Sequence, residues 1–164
     1  MDAWLLYPLH YDDEAMIKVC EGSIELEYTF IQELLQAHYD EVALHKDIMK
    51  LKPMRSWYIT QEKRGHAFGV FAYDGDQVVG YSVMLIGPHH HYADLIVANN
   101  DVLFLHKDYR NGSTGLRLIN ESERLAKEYG AKLVLFHAKQ GTSLEHIMPK
   151  IGYGVQDIVF SKEV

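Results

Sequence analysis

The chain has 164 residues, of which 48% are hydrophobic and 24% are charged. This length is typical of one domain, 1–164, and allows a sizeable core. The formal net charge of −7 argues against a general nucleic-acid binder, because neutralising phosphates requires clustered Lys and Arg. The sequence shows neither an apolar run long enough to cross a bilayer nor the pattern of a signal peptide.

Cysteine and histidine usage bounds the chemistry further. Cys20 is the only cysteine, so no disulfide within the chain is possible, and a cytoplasmic location is predicted. Three consecutive histidines, His89 to His91, raise the question of a metal site. Neighbouring side chains of an extended segment point to opposite faces, so three in a row do not converge on one ion. No metal is predicted.

The first third of the chain is acidic. Ten carboxylates lie between Tyr11 and Asp47, against two lysines, Lys18 and Lys46. One interpretation is a solvated helix face, and the other is a surface that attracts a cationic ligand.

The N-terminal part has a helical period. A short helix that ends near Gly22 is predicted first, with Ala15, Met16 and Val19 facing inward. A longer helix follows, and its buried positions recur at helical spacing: Ile31, Leu34, Leu35, His38 and Val42.

The period changes after Gly65. Residues 66–73 and 77–86 are predicted to be antiparallel strands joined by a turn at 74–76, and Gly87-Pro88 is predicted to end the second strand. Residues 102–106 are predicted to form a third strand.

The C-terminal half alternates between the two periods. It predicts a helix over 114–129 ended by Gly130, a strand over 132–137, a helix from the Thr142–Glu145 capping box to about Lys150, and a strand over 155–161. The strand–helix–strand unit over 102–137 predicts two parallel strands with a right-handed crossover. The fold class is therefore α/β, a mixed sheet with helices on both faces.

The most informative segment is the loop between the third strand and the helix at 114. Unpaired N–H groups and the helix dipole favour an anion at such a terminus. Small residues leave room for a pyrophosphate, hydroxyls can donate to it, and Arg110 can stay charged beside it. The residues concerned are Arg110, Asn111, Gly112, Ser113, Thr114, Gly115 and Leu116.

This segment resembles motif A of the GNAT N-acetyltransferases, in which an aliphatic strand precedes Gln/Arg-x-x-Gly-x-Gly/Ala. Arg110 and Gly115 match that pattern, and Ser113 stands at the first glycine. The likeness continues to Lys150-Ile151-Gly152-Tyr153, similar to the closing Lys-x-Gly-Phe/Tyr of the family. More narrowly, the run from His91 to Leu105 looks like acetyltransferase-like proteins of bacteriophages, which implies a host-cell cytoplasm.

The resemblance implies an acetyl-CoA-dependent N-acetyltransferase, with acetyl-CoA (coenzyme A) as cofactor and a splay between the two parallel central strands. The main chain of Leu103, Phe104 and Leu105 would pair with the pantetheine arm. An N–H near Leu105 would donate to the thioester carbonyl and stabilise the developing oxyanion.

One family feature is missing. Many members carry a tyrosine two residues before the final lysine, where it protonates the leaving thiolate; here that residue is Met148, and Gly141 replaces an asparagine often found nearby. Replacement groups are expected at the splay, where a histidine or carboxylate accepts a proton and a tyrosine donates one. The candidates are His137, Asp101, Tyr92 and His91.

Three functions remain open from the sequence. The first is acetyl transfer to an amine acceptor, cationic if the acidic helices face it, in a small molecule or a protein. The second is a non-catalytic acyl-CoA-binding or host-protein-interacting protein. The third is an inhibitor whose acidic helices dock onto a host partner. A homodimer is compatible with all three.

Overall fold

The computed structural model describes residues 17–164. Its sheet has five strands in the order β1-β2-β3-β4-β5. They are β1 Ile17–Gly22, β2 Ala67–Asp74, β3 Gln77–His89, β4 Tyr92–Leu105 and β5 Leu133–Leu135. Neighbours are antiparallel except β4 and β5, which are parallel. The predicted mixed sheet with one parallel pair is confirmed.

Helices cover both faces of this sheet, as predicted. They are α1 Ile24–Glu27, α2 Gln32–Val42, α3 Arg55–Lys63, α4 Thr114–Glu128 and α5 Ser143–Ile147, with 3-10 turns at Lys107–Tyr109 and Met148–Ile151. On one face the apolar stripe of α4, including Leu118 and Leu125, packs on Phe68 and Val70. On the other face Ile31 and Leu34 of the α2 region pack on Tyr81 and Phe104. Within residues 17–164, no helix combines the length and apolar character needed to span a membrane.

The helix predicted to end near Gly22 is wrong for the part that the structure describes. Residues 17–22 form β1, which pairs antiparallel with β2. Six residues of alternating character fit an edge strand as well as a short helix, and pairing with β2 decides between them. Ala15 and Met16 lie outside the described residues.

Two strand boundaries also differ from prediction. Strand β3 continues through Gly87 and Pro88 to His89, and its register shifts after Pro88. A proline is tolerated there because an irregularity relieves the missing ladder hydrogen bond. Strand β4 begins at Tyr92, ten residues before the predicted strand, because the polar run that includes Asn99 and Asn100 lies inside the strand.

The strand predicted over 155–161 is not formed. In the described chain these residues have no strand partner, and Val155, Ile158 and Phe160 are exposed. The segment instead contacts the loop after α2, where His45 lies 3.3 Å from the Ser161 hydroxyl. A strand pattern produces a strand only when another strand offers its edge.

Candidate active site

The open edge of β4 is the central feature of the site. Strand β5 pairs with β4 only from Val97 to Asn99. Among the described residues, the rest of β4 as far as Leu105 has no strand on this side. The splay between the two parallel strands, implied by the family resemblance, is therefore present.

The main chain of β4 presents hydrogen-bonding groups to this opening. Leu105 lies opposite Gly80, and the next residue, His106, donates its N–H to the Val79 carbonyl at 2.8 Å. In an antiparallel ladder this pattern turns the N–H and C=O of Leu105 away from β3. Leu103 has the same orientation, whereas the main-chain groups of Phe104 face β3. Leu103 and Leu105 thus direct two N–H and two C=O groups toward the opening, and the carbonyl of Leu105 already accepts from Arg110.

A β-bulge lies at Asp101, at the inner end of the open edge. Val102 pairs with Val83 and Asn100 pairs with Met84, so Asp101 is an extra residue with no opposite number. The buried Asn100 amide donates to the carbonyl oxygens of Val83 at 3.3 Å and Val102 at 2.9 Å. These bonds hold the strand on both sides of the bulge, which is a usual way for a sheet to redirect one side chain.

The same amide connects the bulge to α4. Asn100 Nδ2 donates to the Ser82 hydroxyl at 3.1 Å, and the Ser122 hydroxyl of α4 donates to Ser82 at 2.9 Å. All three residues are buried. Because a buried polar group without a partner is costly, this network fixes the position of α4 relative to the bulge.

The N-terminus of α4 lies just beyond the outer end of the open edge. Its first turn carries no acidic residue. The side chain of Thr114 is 1% exposed, and its hydroxyl has no hydrogen-bond partner among the described residues. A Cβ at Gly115 would meet only Leu105 Cδ2, at 3.7 Å, which is ordinary contact. The packing of the chain therefore does not require glycine here.

The loop before α4 is anchored on both sides. The Tyr109 hydroxyl donates to Asp74 at 2.8 Å. Arg110 donates its Nε–H to the Leu105 carbonyl at 2.8 Å and forms two 2.7 Å bonds with Glu41 of α2. These bonds hold the pKa of Glu41 below its usual range. The predicted phosphate contact of Arg110 thus competes with a carboxylate that the sequence did not reveal.

A histidine of α2 packs over the same strand. His38 stacks on Phe104 with 4.8 Å between ring centroids, and its Nδ1 lies 2.9 Å from the hydroxyl of the buried Tyr81. Burial lowers the pKa of His38, with Lys139 and Arg110 adding to the effect and Glu41 opposing it. Sequence periodicity placed His38 on the buried face of the helix, and the structure agrees.

The four predicted catalytic residues are not brought together. Asp101 is exposed at the bulge, and His137 is exposed two residues beyond β5. His91 and Tyr92 lie at the β3–β4 turn, nine strand residues from Asp101, which corresponds to about 30 Å. The ring of Tyr92 packs instead on His89. Asp101 and His137 therefore remain beside the splay, and the other two do not.

Asp101 has a partner that sequence reasoning missed. The Tyr58 hydroxyl of α3 donates to Asp101 Oδ2 at 2.6 Å. Burial raises the pKa of Tyr58 well above its ordinary value, and the hydrogen bond to Asp101 raises it further. No local signal marks Tyr58, because the two residues are 43 positions apart and meet only through the packing of α3 on the sheet.

Met148, which stands where the family resemblance would place a tyrosine, is buried at the start of a 3-10 turn.

In residues 17–164 no group of three or more His, Cys, Asp or Glu is arranged to hold a metal ion.

Comparison with known proteins gives consistent results. The model of the acetyltransferase (GNAT) family matches residues 28–152. A search of curated protein sequences found no significant match. A ribosomal-protein-alanine N-acetyltransferase from Brucella melitensis biovar Abortus has a similar structure, with 13% identity, a TM-score of 0.67, and coverage of 90% of this chain and 99% of that chain.

Two further structures share the fold. An aminoglycoside acetyltransferase from an uncultured soil metagenomic sample, solved in complex with sisomicin, has 12% identity and a TM-score of 0.71, with coverage of 92% of this chain and 98% of the other. A transcriptional regulator from Bacillus halodurans has 17% identity and a TM-score of 0.65, with coverage of 90% and 99%. At these identities the structures establish the fold, and the family match covers well over half of the chain: this protein belongs to the GNAT acetyltransferase family.

Proposed function

We propose that the protein transfers an acetyl group from acetyl-CoA to an amine. The observation that carries this proposal is the open edge of β4, which runs from the bulge at Asp101 to Leu105 and is followed, after the loop 106–113, by the N-terminus of α4. One end offers an anion site and the other a carboxylate, with main-chain hydrogen-bonding groups between them. That order suits a donor with a pyrophosphate, an amide-containing arm and a reactive thioester.

The residues that would hold the donor follow from this order. The first turn of α4, with Thr114 and Gly115, would receive the pyrophosphate, together with the loop residues 111–113. The outward main-chain groups of Leu103 and Leu105 would pair with the amides of the arm, as an added strand does. Arg110 would approach the pyrophosphate only by leaving Glu41 or by sharing its donors with it.

The chemistry requires orientation, a stabilised carbonyl oxygen and a route for two protons. A main-chain N–H of Leu103 or Leu105, fixed by the sheet, would donate to the thioester oxygen as it gains negative charge. An ammonium group must lose one proton before it attacks and another as the amide forms. We assign the first to the imidazole of His137 and the second to the carboxylate of Asp101 at the bulge.

Support for a cationic acceptor is mixed. Three of the ten carboxylates between Tyr11 and Asp47 have partners: Glu25 pairs with Lys63, Glu27 accepts from Tyr73, and Asp40 accepts from Gln36. These three carboxylates therefore do not form an unpaired acidic surface for a cationic ligand. Asp101 lies nearer the opening, and we propose that its carboxylate supplies the negative field there. Amine acceptors are also named for structures that share the fold, an aminoglycoside and a ribosomal-protein alanine.

A second candidate function is acyl-CoA binding without catalysis. The observation that favours it is Met148, an apolar and buried residue where many family members have the catalytic tyrosine. A bacteriophage origin stays a prediction from the sequence alone.

Two measurements test the proposed function. Titration calorimetry with acetyl-CoA should show one site per chain. A thiol-release assay with acetyl-CoA and a panel of amines (an aminoglycoside, spermidine, a lysine peptide and a peptide with N-terminal alanine) should show turnover with at least one. Binding without turnover would favour the second candidate, and no binding would contradict both and leave the inhibitor hypothesis.

A further inference from the structure

The leaving thiolate needs a proton, and the residue at the position of the usual tyrosine cannot supply it. Met148 has no transferable proton, and Asp101 is assigned to accept one. Tyr58 is the hydroxyl that the structure places against Asp101, 2.6 Å away. It projects from α3, which lies outside the strand–loop–helix segment that resembles motif A.

The surrounding structure holds Tyr58 and Asp101 in position independently of each other. Asp101 is turned out of the ladder by the bulge, and the bulge is held by the buried Asn100 amide. Tyr58 is half-buried and packs against Ala67 and Val83 of the sheet together with Ile24. The ring of Trp57 meets it edge-on at 5.1 Å. The position of each residue is therefore set by its own packing or strand geometry and does not depend on the hydrogen bond between them.

The electrostatics of the pair favour a relay. Burial and the hydrogen bond to Asp101 keep the pKa of Tyr58 raised, so the phenol stays protonated in the resting protein. Once Asp101 takes up a proton its charge disappears, and the phenol becomes a better proton donor. Proton arrival at one group thus prepares release from the other.

We propose that Tyr58 protonates the departing thiolate of coenzyme A, and that Asp101 recharges it with the proton taken from the amine. This inference rests on the proposed function. The amine nitrogen bonds to the acyl carbon as the carbon–sulfur bond breaks. The nitrogen gives one proton to Asp101, the Tyr58 hydroxyl gives its proton to sulfur, and the proton on Asp101 then passes to the Tyr58 oxygen. His137 releases the first ammonium proton to solvent, and the protein then ends unchanged.

The first test requires neither acetyl-CoA nor an amine substrate. In protein labelled with ¹³C-tyrosine, NMR titration should show the phenol of Tyr58 titrating at lower pH in Asp101→Asn than in the parent. The assignment comes from the signal lost in Tyr58→Phe. An unchanged Tyr58 titration in Asp101→Asn would show that the two groups are not coupled, and would overturn the relay.

The second test uses coenzyme A bound to the protein. If Tyr58 donates to the thiolate, the pKa of the bound thiol, followed by ultraviolet absorbance of the thiolate, should be higher in Tyr58→Phe than in the parent. In turnover, Tyr58→Phe should lower kcat by about 10²-fold or more and leave KM for acetyl-CoA within twofold. The basic limb of the pH profile of kcat should also differ between Tyr58→Phe and the parent.

Tyr73→Phe is a matched control. Tyr73 is also half-buried, donates to a carboxylate (Glu27, at 2.9 Å), and has its pKa raised by the same causes, but it lies in β2, away from the opening. It should leave kcat and the bound thiol unaffected. If the parent transfers acetyl groups and Tyr58→Phe behaves like Tyr73→Phe, the relay is overturned while the proposed function stands. If the parent binds coenzyme A but acetylates no amine, the proposed function falls and the relay with it.

Discussion

Arg110 donates its Nε–H to the carbonyl oxygen of Leu105, while its two terminal nitrogens bind Glu41. The guanidinium also lies 5.3 Å from the centre of the Phe104 ring. One side chain therefore joins β4 to α2 and covers a main-chain acceptor that faces the opening. The carboxylate of Glu41 occupies the position at Arg110 that a phosphate would otherwise take.

From this relationship we expect Glu41→Gln to strengthen coenzyme A binding. The substitution removes a negative charge near a polyanionic ligand and releases Arg110. Because the pair is partly exposed, the gain should be about two- to fivefold in Kd and should shrink at high salt. Calorimetry at two ionic strengths measures it, with Glu33→Gln, an exposed residue of the same helix, as the control. Weaker binding would mean that Glu41 positions Arg110 for the ligand.

Substitutions at Gly115 should affect the free energy of unfolding and the affinity for coenzyme A differently. A Cβ there meets only Leu105 at an ordinary distance, and Ala is favoured over Gly in a helix by up to about 1 kcal/mol. Gly115→Ala should therefore keep or raise the free energy of unfolding while weakening coenzyme A binding. Gly115→Val should weaken binding by more than tenfold in a protein that remains folded. Urea denaturation and calorimetry on the same samples check both halves, and unchanged affinity in Gly115→Val would show that no ligand approaches this turn.

His38 makes stability depend on pH. Burial favours its neutral form, so the folded protein binds a proton at lower pH than the unfolded chain, in which histidine titrates near 6.5. As pH falls below that value the unfolded state takes up the proton first, and the folded state loses stability until the lowered pKa of His38 is passed. His38→Gln should lose less stability than the parent between pH 7.5 and pH 5, measured by urea denaturation. Parallel losses in the two proteins would contradict this role.

His137 and Tyr92 should differ in their effect on turnover. His137 lies just beyond β5, beside the splay, so His137→Gln should lower kcat by about 10²-fold and flatten the acidic limb of the pH profile. Tyr92 begins β4 at the far end, so Tyr92→Phe should leave kcat within twofold of the parent. Steady-state kinetics with the best acceptor measures both effects. A large loss of kcat in Tyr92→Phe would contradict the placement of Tyr92 outside the active site.

Local signals in the sequence were enough for much of the fold. The helical period over 114–129, the positive φ of Gly130, the hairpin turn at Gly75 and the loop before α4 each depend on residues close together in the chain. Such signals are set by side-chain period, capping and backbone freedom, so they survive without knowledge of the partners. The boundaries of β3 and β4 and the absent strand over 155–161 were missed because pairing, not propensity, decides where a strand begins and ends.

The sequence by itself determined that the strand–loop–helix unit exists, since the end of the strand, the loop and the start of the helix follow one another in the chain. Only the tertiary structure decided which side chains surround it. Tyr58 meets Asp101 across 43 positions and Arg110 meets Glu41 across 69, while Tyr92, on the same strand as Asp101, lies at its other end. The physical reason is that contacts across elements depend on sheet register, on a single bulge residue and on helix packing. A shift of one residue in any of these would turn the side chains away from each other.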